Sequence, residues 1–234
     1  MSNYVVAGGS SGIGKSLTEK LLYKGCKVYV LARSRRDLPE HPNLEFISVD
    51  FTQDGINIQS LPDTIDGLVY SPGTIHLSPF NRIKRSQFEQ DFKINVLGAV
   101  ELIQQALPAL KKSGKSSVVL FSTVAVQTGM NFHSSIAASK GAIEGLTRSL
   151  AAEYALAGIR FNCIAPSLTN TPLAEKLVNT PEKLAASNTR HPIGRIGTPE
   201  DVSSLADFLL SEESSWMTGQ ILGLDGGMGS IKML

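Results

Sequence analysis

The stretch Tyr4-Val5-Val6-Ala7-Gly8-Gly9-Ser10-Ser11-Gly12-Ile13-Gly14, followed by the amphipathic run Ser16 to Leu22, decides the fold. It reads as strand, tight glycine turn and helix. The glycines permit backbone conformations closed to other residues and remove the Cβ atoms that would hold a pyrophosphate away. The helix that follows offers unpaired N–H groups and a partial positive charge at its N-terminus, a ready site for phosphate oxygens. Gly8, Ser10, Ser11, Gly12, Ile13 and Gly14 are therefore the first candidate dinucleotide contacts.

Outward from this turn the same alternation continues to the end of the chain. Apolar runs occur at Val28–Leu31, Leu44–Val49, Gly67–Tyr70, Ser117–Phe121, Arg160–Ala165 and Gln220–Leu224. Helical periodicity occurs over Gly12–Lys24, Arg85–Lys111, Ser134–Ala157 and Pro199–Ser211. Apolar runs without alternation fit strands buried on both faces of a parallel sheet. Interleaved helices then imply right-handed crossovers and an α/β fold: one doubly wound, Rossmann-type sheet with helices on both faces. The 234 residues suit a single domain over 1–234. Within it, 169–195 reads as irregular, with Pro172, Pro181 and Pro192 interrupting a weak helical pattern, and is expected to form a mobile lid over the ligand cleft.

Composition narrows the function. A net charge of +1 with 18% charged residues leaves no footprint for nucleic acid. No apolar run reaches the ~20 residues that span a bilayer, and the first strand starts too early to leave room for a signal peptide. Cys26 and Cys163 sit in strand-like surroundings without metal-ligand spacing, which predicts two buried free thiols, no metal site and a cytoplasmic protein.

The second strand speaks to the cofactor. Selection of NAD usually places an acidic residue at its end, but this strand runs Val28-Tyr29-Val30-Leu31-Ala32-Arg33-Ser34-Arg35-Arg36. A guanidinium there can grip a 2′-phosphate through paired charge-assisted hydrogen bonds. Arg33 and Ser34 thus point to NADP(H). Asp50 and Phe51 end the third strand, where adenine would be recognised.

These features together resemble the short-chain dehydrogenase/reductase family over nearly the whole chain. The turn matches that family's TGxxxGxG pattern with Ala7 for its threonine, and Asp50 matches its adenine-contacting aspartate. Tyr70-Ser71-Pro72-Gly73 aligns with Asn-Asn-Ala-Gly and keeps only Gly73. Asn162 to Ser167 with Thr171 resembles the segment covering the nicotinamide, which implicates Pro166, Ser167 and Thr171. Thr218-Gly219-Gln220 and Asp225-Gly226-Gly227 also fit the family.

The resemblance implies an active site of asparagine, serine, tyrosine and lysine. Asn95 and Lys140 occupy the first and last positions, with Lys140 also expected to hold the nicotinamide ribose. Thr123 stands in the serine's place beside Ser122, and Ile136 in the tyrosine's, four residues before Lys140. Ile136 has no proton to give. Tyr154 lies about 27 Å farther along the same helix, and Tyr70 lacks the lysine spacing. His133, at the expected helix start, is either an alternative donor or a capping or surface residue; Ser134 and Ser135 are expected to cap the helix, Met130 to face substrate, and Asn131 either to contact substrate or to make an ordinary loop hydrogen bond.

The expected function is NADP(H)-dependent hydride transfer to a small carbonyl- or quinone-like substrate at an atypical site, weak on ordinary ketones. The alternative is a catalytically silent NADP(H)-binding sensor or regulatory protein. The resemblance further implies a homodimer or homotetramer built on the long helices.

Overall fold

Seven parallel strands form one sheet in the order β3-β2-β1-β4-β5-β6-β7. In this computed structural model, which describes residues 1–58 and 60–232, they are β1 (Asn3–Ala7), β2 (Lys27–Ala32), β3 (Leu44–Ser48), β4 (Gly67–Tyr70), β5 (Ser117–Phe121), β6 (Arg160–Pro166) and β7 (Ile221–Leu224). Every boundary falls within one residue of the apolar run that predicts it. The helices are α1 (Gly12–Tyr23), α2 (Arg85–Phe92), α3 (Gly98–Ser113), α4 (Ala125–Thr128), α5 (Ser134–Tyr154), α6 (Glu175–Val178), α7 (Pro181–Asn188) and α8 (Pro199–Leu210).

Strand pleating splits the core into two layers, because successive side chains point to opposite faces. Val5, Leu68, Val118 and Phe161 pack with Leu102 and Ile103 of α3 and Ile143 of α5. Their neighbours Val6, Val69, Val119 and Ile164 pack with Leu17 and Leu21 of α1 and Val202, Ala206 and Leu209 of α8. β4 and β5 are buried throughout, as unbroken apolar runs require, whereas β3 and β7 are mostly half-exposed because each has a neighbour on one side only.

The order reverses direction between β1 and β4, and a doubly wound sheet opens a crevice at the carboxyl ends of its strands at such a point. Ala7 pairs with Tyr70, and Tyr70 with Leu120, so the segments after β1, β4 and β5 leave the sheet side by side.

Three expectations need correction. Arg85–Lys111 is not one regular helix: Lys93–Leu97 forms a π-helical turn between α2 and α3, and the helix runs on to Ser113. The wider turn leaves the Ile94 carbonyl to accept from Tyr70 Oη at 2.5 Å, while Asn95 Nδ2 donates to the Asp91 carbonyl at 2.8 Å. Residues 169–195 are not irregular. Pro172 starts a 3₁₀ turn over Pro172–Ala174, and Pro181 starts α7 behind a Thr180 cap. Proline is tolerated in a first helical turn, where its missing N–H costs no hydrogen bond. Finally, Cys163 is buried but Cys26 only half-buried, since it precedes β2 at the sheet's margin.

Candidate active site

Two adjoining hollows lie along the crevice and share Ile13, Ser71, Gly73, Thr74, Thr171 and Leu173, so they form one continuous cleft. The longer hollow, about 730 Å³, is floored by the glycine turn. Gly8 has φ +74°, and a Cβ on Gly14 would collide with the Gly8 carbonyl. The turn therefore closes only with glycine at both positions. Ser11 stands at the N-cap of α1 in extended conformation and its side chain caps nothing, which leaves the first N–H groups of α1 facing the hollow. Gly8, Ser10, Ser11, Gly12, Ile13 and Gly14 all line it.

Arg33 and Ser34 line the far end, exposed at the carboxyl end of β2. Arg36 joins them. Its φ of +51° turns the chain back toward the hollow, a signal that the run of arginines did not disclose. Arg35 faces away and pairs with Glu40 at 3.1 Å. Asp50 and Phe51 complete this end. Asp50 Oδ1 accepts from Thr52 N at 3.0 Å and Thr52 Oγ1 at 2.8 Å, and these bonds hold its carboxyl below the usual range, with a smaller contribution from Arg33. Phe51 stacks edge-on against Tyr70 at 5.2 Å. Tyr70 is thereby accounted for as core, its phenol driven up by burial.

The second hollow, about 280 Å³, contains Asn95, Thr123, His133, Ile136 and Lys140 together with Pro166, Ser167 and Thr171. The structure thus gathers every residue the sequence nominates for chemistry. Among the described residues no aspartate or glutamate lines it, and its walls include Phe121, Val124, Leu168 and Leu177. Burial draws the Lys140 ammonium down to about 8, against the opposing pull of Cys163 and Asp91. Asn95 is fully buried and its Oδ1 has no partner. That oxygen lies 3.1 Å, and Lys140 Nζ 3.9 Å, from the point where a side-chain carbon on Gly73 would begin. The two polar atoms converge on the space that a glycine leaves open.

Ile136 is 4% exposed and forms part of the apolar wall. Thr123 Oγ1 accepts only a long 3.4 Å bond from Ala125 N, so its hydrogen remains free for the cavity. Ser122 is committed elsewhere, donating to Glu144 Oε1 at 2.7 Å. His133 stands at the N-cap of α5, and its Nδ1 donates to the Asn131 carbonyl at 2.7 Å. Ser134 and Ser135 are not caps: both lie inside the first turn, and Ser135 Oγ donates to Asp91 Oδ2 at 2.6 Å. Met130 lines the cavity, whereas Asn131 contributes its carbonyl to His133.

Sequence reasoning missed His191. It lies on the segment after α7, 3% exposed, and lines the cavity with its Nε2 2.9 Å from Ser167 Oγ. Nothing in its sequence surroundings marks it, since Ser167 is 24 residues away.

The family described as Enoyl-(Acyl carrier protein) reductase matches residues 7–229. A tropinone reductase homolog of Arabidopsis thaliana is 34% identical over 95% of this chain and 90% of its own length. Among solved structures, a short chain dehydrogenase family protein from Francisella tularensis superposes with TM-score 0.90 at 28% identity, covering 99% of this chain and all of that one. Pseudomonas aeruginosa RhlG, in an active-site complex with NADP, also superposes at 0.90 with 28% identity, covering 97% of this chain and 96% of its own.

Proposed function

The chain belongs to the short-chain dehydrogenase/reductase family of oxidoreductases, and from that premise we propose that it is an NADP(H)-dependent reductase whose site lacks the family's phenolic acid. One observation carries this reading: the cleft runs unbroken from the glycine turn, with Arg33 and Arg36 at its far end, to a cavity holding Lys140 and Thr123. The residues fit the cofactor. Gly8 to Gly14 would take the pyrophosphate and Arg33 with Ser34 and Arg36 a 2′-phosphate. Asp50 and Phe51 would border the adenine, and Gly73, Pro166, Ser167 and Thr171 the nicotinamide end. The complex of RhlG with NADP supports the same choice.

When bound, the dihydronicotinamide supplies a hydride to an electrophilic carbon. Lys140 would orient the ribose and, as a cation, favour negative charge gathering on the substrate oxygen. Thr123 would donate a hydrogen bond to that oxygen, and Asn95 would anchor the chain beside it. Apolar walls without a carboxylate among the described residues suit a small carbonyl- or quinone-like substrate. At position 136 no side chain can protonate the product, so ordinary ketones should react slowly. Lid movement by 169–195, a single domain over 1–234 and assembly as a homodimer or homotetramer accompany this reading. Ile136 also motivates the alternative, a silent NADP(H)-binding sensor or regulatory protein.

The two readings part at Lys140. In both, Lys140→Ala weakens NADPH binding, by about 1–3 kcal/mol for a lost charged hydrogen bond. In the enzyme, saturating NADPH does not restore turnover, because transition-state positioning is lost as well. A screen of carbonyls and quinones with NADPH and NADH, run beside this variant, checks both. A wild-type protein that binds NADPH and reduces none of them supports the sensor.

A further inference from the structure

The cavity holds a pair of proton-bearing groups independent of the α5 spacing. His191 is nearly inaccessible and both of its ring nitrogens are engaged. Nδ1 lies 2.8 Å from the Ser187 carbonyl oxygen and Nε2 lies 2.9 Å from Ser167 Oγ. A carbonyl has no hydrogen to give, so Nδ1 carries the ring proton, and the neutral ring offers Ser167 only the Nε2 lone pair. Ser167 is fixed in turn: its N–H donates to the Leu224 carbonyl at 3.2 Å, and Oγ lies 3.2 Å from Met228 Sδ. Serine and histidine line the same cavity as Lys140, Thr123 and Ile136. A hydroxyl held by an imidazole whose second nitrogen is itself oriented is the arrangement that acid–base catalysis requires.

We propose that Ser167 delivers the proton in the reduction and that His191, acting through Ser167, supplies it. This rests on the reductase reading above. With the ring protonated, Nε2–H donates to Ser167 Oγ, and the serine hydrogen, then held only by the weak acceptor Met228 Sδ, can turn to a substrate oxygen in the cavity. The substrate carbon accepts a hydride, two electrons with one proton, from the dihydronicotinamide. The electron pair of the C–O π bond moves to oxygen, which takes the Ser167 hydrogen as Ser167 takes the Nε2 hydrogen. His191 is left neutral and regains its proton from solvent. The alcohol, the oxidised nicotinamide and a neutral imidazole balance the step.

Other ionisable groups surround the pair. Arg190 lines the cavity and donates to Ser187 Oγ at 2.9 Å, and Lys140 and His133 share the same walls. Asp225 stands in the turn whose Gly226 packs on the His191 Cβ, its carboxylate accepting from Gly227 N and Gly229 N. Because these groups remain in the Ser167 and His191 variants, and His133 is replaced separately, a titration lost only in His191→Gln can be assigned to His191.

The test combines two measurements. Nitrogen NMR of histidine-labelled protein without cofactor should show His191 as the Nδ1–H tautomer, with a titration midpoint that moves in Ser167→Ala. Steady-state reduction of the best carbonyl or quinone at saturating NADPH should lose roughly 10²-fold in kcat in Ser167→Ala and His191→Gln. Ser167→Thr should retain most of the rate. In the wild type kcat falls as pH rises through the imidazole titration, and His191→Gln should abolish that limb, which a merely structural histidine would not do. The proposal fails if both variants fold, bind NADPH and keep wild-type kcat and pH profile, if the limb vanishes in His133→Gln instead, or if His191 is the Nε2–H tautomer. Failure of the reductase reading looks different: the wild type itself turns over no substrate while binding NADPH, and the proposal falls with it.

Discussion

At Arg33 and Ile136, single side chains carry most of what distinguishes this protein. Arg33 directly follows β2, where selection of NAD would place an acidic residue, and Arg36 is turned toward the same hollow. Calorimetric titration should therefore give NADPH an affinity at least several-fold above NADH, and Arg33→Ala should erase most of that preference. Equal affinities in the unaltered protein would overturn the choice of cofactor. Ile136 occupies an apolar wall within the same cavity as Lys140 and Thr123. Ile136→Tyr should raise ketone reduction by up to the ~10²–10⁴-fold share of a general acid, with hydride geometry unchanged. A folded, NADPH-binding variant without any gain would mean that the cavity is shaped for a different chemistry. Both residues were legible in the sequence, because each lies at a fixed offset from a motif: the end of a strand, or one helical turn from Lys140. His191 was not. Its partner Ser167 is remote in the chain, and only the packing of the segment after α7 against the end of β6 brings them together.

Among the elements, the joint between α2, the π-helical turn and α5 deserves a measurement of its own. Asp91, fully buried, collects Ser135 Oγ at 2.6 Å, His76 Nδ1 at 2.7 Å and Thr74 Oγ1 at 2.5 Å. Thr74 Oγ1 in turn accepts from Asn95 Nδ2 at 3.0 Å. One carboxylate thus ties the loop after β4, the helix carrying Asn95 and the first turn of α5 into a single frame. Asp91→Ala removes the acceptor of the buried Ser135 and of the half-buried Thr74 and His76 at once, and a buried donor left unsatisfied costs ~1–3 kcal/mol. Denaturant unfolding should accordingly show a loss of about 2–5 kcal/mol. A loss below 1 kcal/mol would mean that the donors find water. Periodicity announced a helix from Arg85 onward but not its π turn, because the wider turn depends on Tyr70 reaching the Ile94 carbonyl from another strand. The prolines of 169–195 misled for a related reason. Residue type says that proline ends a helix, whereas the fold uses Pro172 and Pro181 to begin helical turns.

For the molecule as a whole, Lys140, half-buried in the cavity wall, makes stability depend on pH. Its folded-state pKa, about 8, lies below the ordinary lysine value of 10.5, so the folded state binds this proton less tightly than the unfolded state. Stability is therefore reduced below pH 8 and recovers as pH rises from about 8 toward 10.5. Melting of the cofactor-free protein should show this rise relative to Lys140→Met, in which it should be absent. The comparison between variants is needed because Tyr4, pushed up by burial to about 12, opposes the rise above pH 10. A pH dependence identical in the two proteins would place the ammonium in water. What the sequence by itself determined was the alternation of strands and helices, the glycine turn and the arginine-ended second strand. Those signals are local: each follows from side-chain period, backbone permissiveness or charge within a few residues. The tertiary structure decided which of the nominated residues share a cavity, that Ser122 and Tyr70 are committed to core hydrogen bonds, and that His191 meets Ser167. Those outcomes require segments far apart in the chain to be set side by side at the carboxyl edge of one sheet, and no local pattern encodes that distance.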